Sequence, residues 1–338
     1  NPTRHGQAAG HIQIRFVSDV PRPRLSPSRI AAGACLLAGA AGVGALWRGH
    51  VLQARDAQVL REAAATAPPA FASQTVPRRH LSAHFAIEST ASDTDTAEVA
   101  AAAEALHAAW TAFFARELAP QAGDARLRMR LYGSQAEFKA HNRSRPWAEA
   151  FYLKPLSHAY VARGRGNRYH WMLHEVVHQL NTEVLGRRHP RWVEEGLACY
   201  FGASRLVDGA LQPGEIDSGA YPAWWLQDHA LGDDAAADAR RLRMIPLRAM
   251  LTGQGVPSLD RNVNLHYVQH WTLVHFLLHG EGGRHAEGFR RLMATPAGLE
   301  DFERLIGPVE TVEAAWRAHR GTMLAQMRAE SRSLQSPR

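Results

Sequence analysis

The chain reads as an α+β protein, and three observations lead to that reading. Short alternating segments and amphipathic helical patterns are interleaved between residues 78 and 162. Two apolar-striped helical segments follow directly, at about 167–182 and 190–201. Beyond residue 262 only the helical period remains. Strands and helices first, and mainly helices afterwards, describe one α+β domain over residues 78–330, with a small mixed sheet near its start.

The elements follow in order. Residues 80–89 alternate through Leu81, Ala83, Phe85 and Ile87, the pattern of one half-buried strand. Val99, Ala103, Leu106, Trp110, Phe113 and Leu118 mark a long amphipathic helix. Leu127, Met129 and Leu131 alternate as a second strand, and Ser134 with Glu137 forms a capping box opening a helix to about Asn142. A third strand is expected at 158–162. Asn167 offers an N-cap for a helix to about Thr182, whose Leu173, Val176, Val177 and Leu180 make a buried stripe. Pro190 suits the first turn of the next helix, striped by Val193, Leu197 and Phe201. Residues 203–262 are polar, rich in Gly and Asp and weakly periodic, so a long loop shaping a cleft is expected there. Residues 265–278 return to a helix carrying His266, His270 and His275, with His279 next; these read as polar-face or satisfied core histidines rather than a second metal site. Residues 289–293, 299–306 and 309–327 complete a helical end, with no internal repeat and no phosphate-binding glycine loop.

At 338 residues and 46% hydrophobic composition, the chain can bury a substantial core. Its +7 charge is a property of the N-terminus. Residues 1–65 hold eight arginines against Asp19, Asp56 and Glu62, so the remainder is nearly neutral and no nucleic-acid partner is expected. After the basic segment 1–29, residues 30–47 are uncharged and flanked by Arg29 and Arg48. Eighteen residues reach about 27 Å as a helix, enough for a thin bilayer. The run reads as a transmembrane or signal-anchor helix, with a cleaved signal segment as the rival and a buried soluble helix as the further alternative. The basic flank favours a cytoplasmic N-terminus, which puts the rest on the far side of the membrane. Residues 48–77 are read as a helix (51–65) and a Pro-rich linker (66–77). Cys35 and Cys199 lie in different settings and imply no disulfide framework.

The chemistry concentrates at His174-Glu175-Val176-Val177-His178. Histidines four apart share one helix face, so both rings can meet one metal, and Glu175 can reach a water in the metal's open position. A catalytic zinc takes three protein donors. A third histidine six residues beyond His178 is excluded, because Val184 occupies that place. A glutamate on the next helix remains, and Glu194 and Glu195 point about 100° apart, so only one can face the metal.

With His174-Glu-x-x-His178 followed by Trp192-Val-Glu-Glu195-Gly196-Leu-Ala, the chain resembles the gluzincin zinc metallopeptidases, and among them the bacterial peptidase-MA-like domains. Weaker likenesses at His84-Phe85, Phe138, Phe151-Tyr152 and Tyr267-Val-Gln-His-Trp extend it over roughly residues 80–325. The resemblance implies a zincin-like fold and one zinc ion held by His174, His178 and Glu195. It implies Glu175 as general base, and Gly196 as the point where the two ligand helices approach. Tyr267 resembles the tyrosine that follows the ligand helix in related peptidases, and is expected to donate to the developing oxyanion; His170 is a second option. The implied activity is hydrolysis of peptide bonds in a peptide or protein substrate. The Gly-x-Met-Glu-Asn stretch of one aminopeptidase branch is missing, which favours an endopeptidase. Residues 158–162 are then either the strand that pairs with an extended substrate or an ordinary interior strand. Cys199 stands where some relatives carry an aspartate bonded to a zinc histidine, so that support is expected from elsewhere. The alternative is a non-catalytic zincin-fold binding or scaffold domain of the cell envelope.

Overall fold

A computed structural model describes residues 76–115, 126–145, 147–162 and 168–335. Apart from 141–147 these belong to one compact unit, 73–140 with 148–338. The expected anchor at 30–47, the helix at 51–65, nearly all of the linker, Leu118 and Asn167 lie outside the described residues. Among the described residues no helix is long and apolar enough to cross a membrane.

Five strands form a mixed sheet in the order β1-β2-β3-β5-β4. β1 (Arg78–Leu81) and β2 (Phe85–Ser89) pair antiparallel, so the single strand expected at 80–89 is a hairpin. Its turn is closed by Ser82 N–H donating to Phe85 O at 3.0 Å. Alternation misled because only Phe85, Ile87 and Ser89 face the core, while Leu81 is 50% exposed. β2 and β3 (Leu127–Tyr132) run parallel, which requires a crossover, and α1 (Asp93–Phe113) provides it. Ser92 caps α1 by accepting from Asp95 N–H at 3.1 Å. Ser134 likewise accepts from Glu137 N–H at 3.2 Å to open α2 (Gln135–His141).

The hairpin β4 (Phe151–Leu153) and β5 (Leu156–Tyr160) completes the sheet. β5 lies between β3 and β4, so the strand expected at 158–162 begins two residues earlier and is interior. An interior strand has both sides engaged and cannot pair with a substrate. The edge belongs to β4, too short and too irregularly patterned to be read as a strand from sequence.

α3 (His170–Leu180) packs on this sheet and continues into a π-helical turn, Asn181–Leu185, ended by Gly186 at φ 66°. α4 (Arg191–Gly202) packs beside α3 with Pro190 at its N-cap. The predicted stripes of both helices are fully buried. The expected loop at 203–262 is instead structured. β6 (Ser204–Val207) and β7 (Ala210–Ile216) form a hairpin, followed by α5 (Ala235–Arg240) and α6 (Leu247–Thr252). Asp208 and Gly209, at φ 48° and 79°, make the two-residue turn that Asp-Gly favours. That signal was present in the sequence, masked by the polar residues around it.

α7 (Val263–His279) is the central helix, buried on nearly every side against α4 and α10 (Val309–Gln335). α8 (Ala286–Leu292) and α9 (Leu299–Leu305) complete the helical part. The α7 histidines bond to separate segments: His266 to Pro257 O at 3.0 Å, His275 to His319 and Gly214 O, and His279 to the Tyr200 hydroxyl. His266 and His275 are buried and bonded as expected of core histidines, His279 is exposed, and His270 is buried with no hydrogen bond at Nδ1. Arg320 joins α10 to α7 by donating to Gln269 Oε1 at 2.7 Å.

The close approach expected between the ligand helices at Gly196 is displaced. A Cβ on Gly196 would lie 2.7 Å from His270 O and 2.5 Å from Val274 Cγ2, so this glycine admits α7. Gly202 is the one that faces α3, where a Cβ would meet His170 O at 3.1 Å. Adjacent positions on a helix face different neighbours, and α7 is invisible from the local motif.

Gly196→Ala is expected to destabilise by about 1–3 kcal/mol through overpacking against backbone, read as a lower urea midpoint. Burial holds His270 and His275 at about 3, below the ordinary 6.5. Between pH 6.5 and 3 the unfolded chain therefore binds more protons than the folded one, and stability is lost as pH falls. The urea midpoint should drop across that window, less steeply in His270→Leu; an unchanged slope would place the linkage elsewhere.

Candidate metal centre

Both ligand helices are fixed by contacts outside the motif. Trp110 of α1, fully buried, donates its indole N–H to Asn181 Oδ1 at 3.0 Å. Asn181 donates onward to Glu194 Oε2 at 3.0 Å. The other Glu194 oxygen accepts from His189 N–H at 2.8 Å and lies 3.0 Å from His189 Nδ1. Burial opposes ionisation of Glu194, but the His189 and Asn181 hydrogen bonds outweigh it and lower the pKa. Glu194 is thus a structural carboxylate, and its neighbour is turned by one helical step towards α3.

Glu195 Oε2 lies 3.2 Å from His174 Nε2 and 3.4 Å from His178 Nε2, and the two Nε2 atoms are 3.2 Å apart. Zinc–ligand distances of about 2.0–2.1 Å give a tetrahedral edge of roughly 3.3 Å. The three atoms therefore already stand at the spacing of three corners. Glu195 Oε2 is buried and makes no hydrogen bond of acceptable geometry. An uncompensated buried carboxylate oxygen facing two imidazole nitrogens is a cradle that a divalent cation fits. Burial disfavours charge on His178, yet the Glu195 carboxylate beside it prevails and pushes its pKa up to about 9. Against the same burial, His178 and His174 hold Glu195 well below the usual carboxylate range. Protons and a cation compete for one charge-seeking pocket.

Cys199, one turn beyond Glu195, lies with its Sγ 3.7 Å from His174 Nδ1. The expectation that support for this histidine comes from elsewhere is corrected: the thiol takes that place. Burial, with Glu195 and Glu175 nearby, pushes its pKa well up, so the sulfur stays neutral and is a weak acceptor. His174 Nδ1–H directed at Sγ leaves Nε2 free to ligate.

Glu175 is half-buried, and its Oε2 accepts from Tyr152 N–H of the edge strand β4 at 2.8 Å. Its charge acts on His178 and Tyr267, which places it beside the cluster. Tyr267 of α7 stacks on His174, ring centroids 5.8 Å apart and planes at 22°. Burial and Glu195 push its pKa well up, so the hydroxyl remains a donor. Tyr221, which sequence reasoning missed, packs on Tyr267 at 5.5 Å and stacks on Trp171 at 4.7 Å. His170 opens α3 and packs against Trp171 and Trp224 instead of joining the ligands. All five expected site residues are thus gathered here. Asn181 and His189 had no sequence signal, because their roles arise from contacts outside the motif, and Tyr152, noted only within a weak family likeness, acts through its backbone N–H.

Residues 170–294, from the start of α3 to just past α8, match a family model described as a protein of unknown function (DUF1570). That stretch holds all five residues and resembles the family without assigning chemistry to it. No curated protein matches the chain.

Glu195→Ala is expected to abolish zinc uptake at this centre. Glu194→Ala should chiefly cost stability, about 1–3 kcal/mol for the unpaired buried groups it leaves. Cys199→Ala should weaken zinc by about tenfold or more while the fold persists. Zinc titration alongside urea unfolding separates these outcomes, and a Glu194 variant that loses zinc while keeping full stability would reassign the ligand.

Proposed function

We propose that the chain is a zinc-dependent endopeptidase of zincin-like build, of the gluzincin type. The observation that carries this is the convergence of His174 Nε2, His178 Nε2 and Glu195 Oε2 at 3.2–3.4 Å, with Glu175 beside them. His174, His178 and Glu195 would hold a zinc ion. Bound there, it would supply Lewis acidity that makes water a nucleophile near neutral pH. Glu175 accepts the attacking water's proton at its carboxylate and passes it to the amine nitrogen leaving the cleaved bond. The Tyr152 N–H fixes the rotamer of that carboxylate through Oε2. Tyr267 donates its hydroxyl proton in a hydrogen bond to the carbonyl oxygen as negative charge develops there.

The sheet edge supports an extended polypeptide as substrate. β4 ends the sheet and touches Glu175 through its backbone, so main-chain pairing along β4 brings a peptide past the base. Pairing of this kind reads backbone and tolerates varied side chains. The uncharged run at 30–47 between Arg29 and Arg48 favours a single-pass anchor in a bacterial inner membrane, with the catalytic part on the extracytoplasmic side.

The purified protein should contain one Glu195-dependent zinc and cleave unstructured polypeptides internally. Glu175→Gln should keep the ion and the fold yet lose hydrolysis by a factor of about 10² or more. Tyr267→Phe should lower kcat with little change in KM. A zinc-loaded parent that cleaves nothing across a broad peptide library would favour the non-catalytic binding domain.

A further inference from the structure

A second group of metal-ligating side chains lies apart from the centre at His174. Glu104 and His107 are three residues apart on α1 and therefore share one helix face. His84, in the turn between β1 and β2, faces them. The two imidazoles lie against each other, ring centroids 3.7 Å apart and planes at 15°. His84 Nδ1 is 2.6 Å from Glu104 Oε2, and one ligating atom from each of the three residues lies within 4.8 Å of the others.

The Glu104 carboxylate is already aimed. Its Oε1 accepts from Ser82 Oγ at 2.5 Å and from His84 N–H at 2.8 Å. These bonds fix the plane of the group and leave Oε2 directed at the imidazoles, the outer support that oriented metal carboxylates use. Two imidazole nitrogens and one carboxylate oxygen are the same donor set as at the first centre, and they suit zinc and its neighbours rather than calcium or magnesium. The His84 side chain is 51% exposed and Glu104 25%, so a cation reaches them from solvent.

We propose that His84, Glu104 and His107 form a second zinc-binding site, which braces the β1–β2 turn against α1. The ion displaces the proton between His84 Nδ1 and Glu104 Oε2, which leaves to solvent from a doubly protonated ring and moves to Nε2 in a neutral one. The spread of 4.8 Å exceeds the edge of roughly 3.3 Å in a zinc tetrahedron. The two rings also stand nearly parallel, so their in-plane lone pairs do not converge as they are; one ring turns out of the stack, on an accessible face, to bring both nitrogens onto the ion. The site is independent of the hydrolase reading, since none of its three residues belongs to the first centre, although Trp110 of the same helix braces Asn181 there.

The test uses the full chain, stripped of metal and titrated with zinc chloride by calorimetry and by thermal unfolding. The parent should take up two equivalents at micromolar free zinc, and His107→Leu one. Glu195→Ala should retain one equivalent, and its unfolding midpoint should rise with free zinc. The double variant Glu195→Ala/His107→Leu should bind at least tenfold more weakly and show no such rise. If Glu195→Ala takes up no zinc, or if His107→Leu leaves the parent's stoichiometry unchanged, the second site is refuted. A parent that takes up only one equivalent, unchanged in Glu195→Ala, would overturn the first centre and leave this site standing.

Discussion

Glu194 accepts hydrogen bonds from Asn181 and from His189, and this locked carboxylate sets the rest of the centre. Because Asn181 is itself held by the buried Trp110, the chain of contacts runs from α1 through the π-helical turn to α4. One helical step from a fixed residue is a fixed direction. Glu195 is therefore turned at the two imidazoles without any bond of its own to a neutral donor. The π-helical turn belongs to this device, since it carries Asn181 to the junction of the three elements.

The electrostatics of the cluster follow from that placement. A carboxylate and two imidazoles, brought together with little solvent, must share something positive. Protons serve that need in the metal-free chain, which is why His178 is driven up to about 9. A divalent cation would serve it as well, since the three donor atoms stand at the spacing such an ion needs. Cys199 behind His174 supports the ring with a weak acceptor, where a carboxylate would hold it firmly. Under the proposed reading, a softer support of this kind would leave a metal held less tightly.

The sheet contributes through its edge. β4 offers Tyr152 N–H to Glu175, so the strand that ends the sheet also positions the acid beside the cluster. At the opposite edge, the turn between β1 and β2 brings His84 against Glu104 and His107 on α1. Each cluster draws on a helix packed on the sheet, with candidate ligands at three- or four-residue spacing, and α1 also carries Trp110, which braces the first cluster.

How much of this was legible in the sequence depends on range. Leu173, Val176, Val177 and Leu180, like Val193, Leu197 and Phe201, were placed correctly in the core, because helical periodicity is local. His174 and His178 were paired by the same period, as was the cap at Ser134-to-Glu137 by its spacing, while the cap at Ser92 was not read from the sequence. The hairpin at Asp208-Gly209 was legible but overlooked, while β4, three residues long, carried too short a pattern to register. Gly196 was given the wrong neighbour because α7 meets it from some seventy residues away, and Cys199 was thought idle because its contact crosses two helices. By itself, then, the sequence determined which residues share a face, which lie inside, and that two histidines and one of two glutamates were candidate ligands. Only the tertiary structure decided which glutamate turns inward, which strand is the edge, and what stands behind each ligand. Those choices depend on contacts between segments far apart in the chain, and side-chain periodicity encodes the direction of a residue but not its partner.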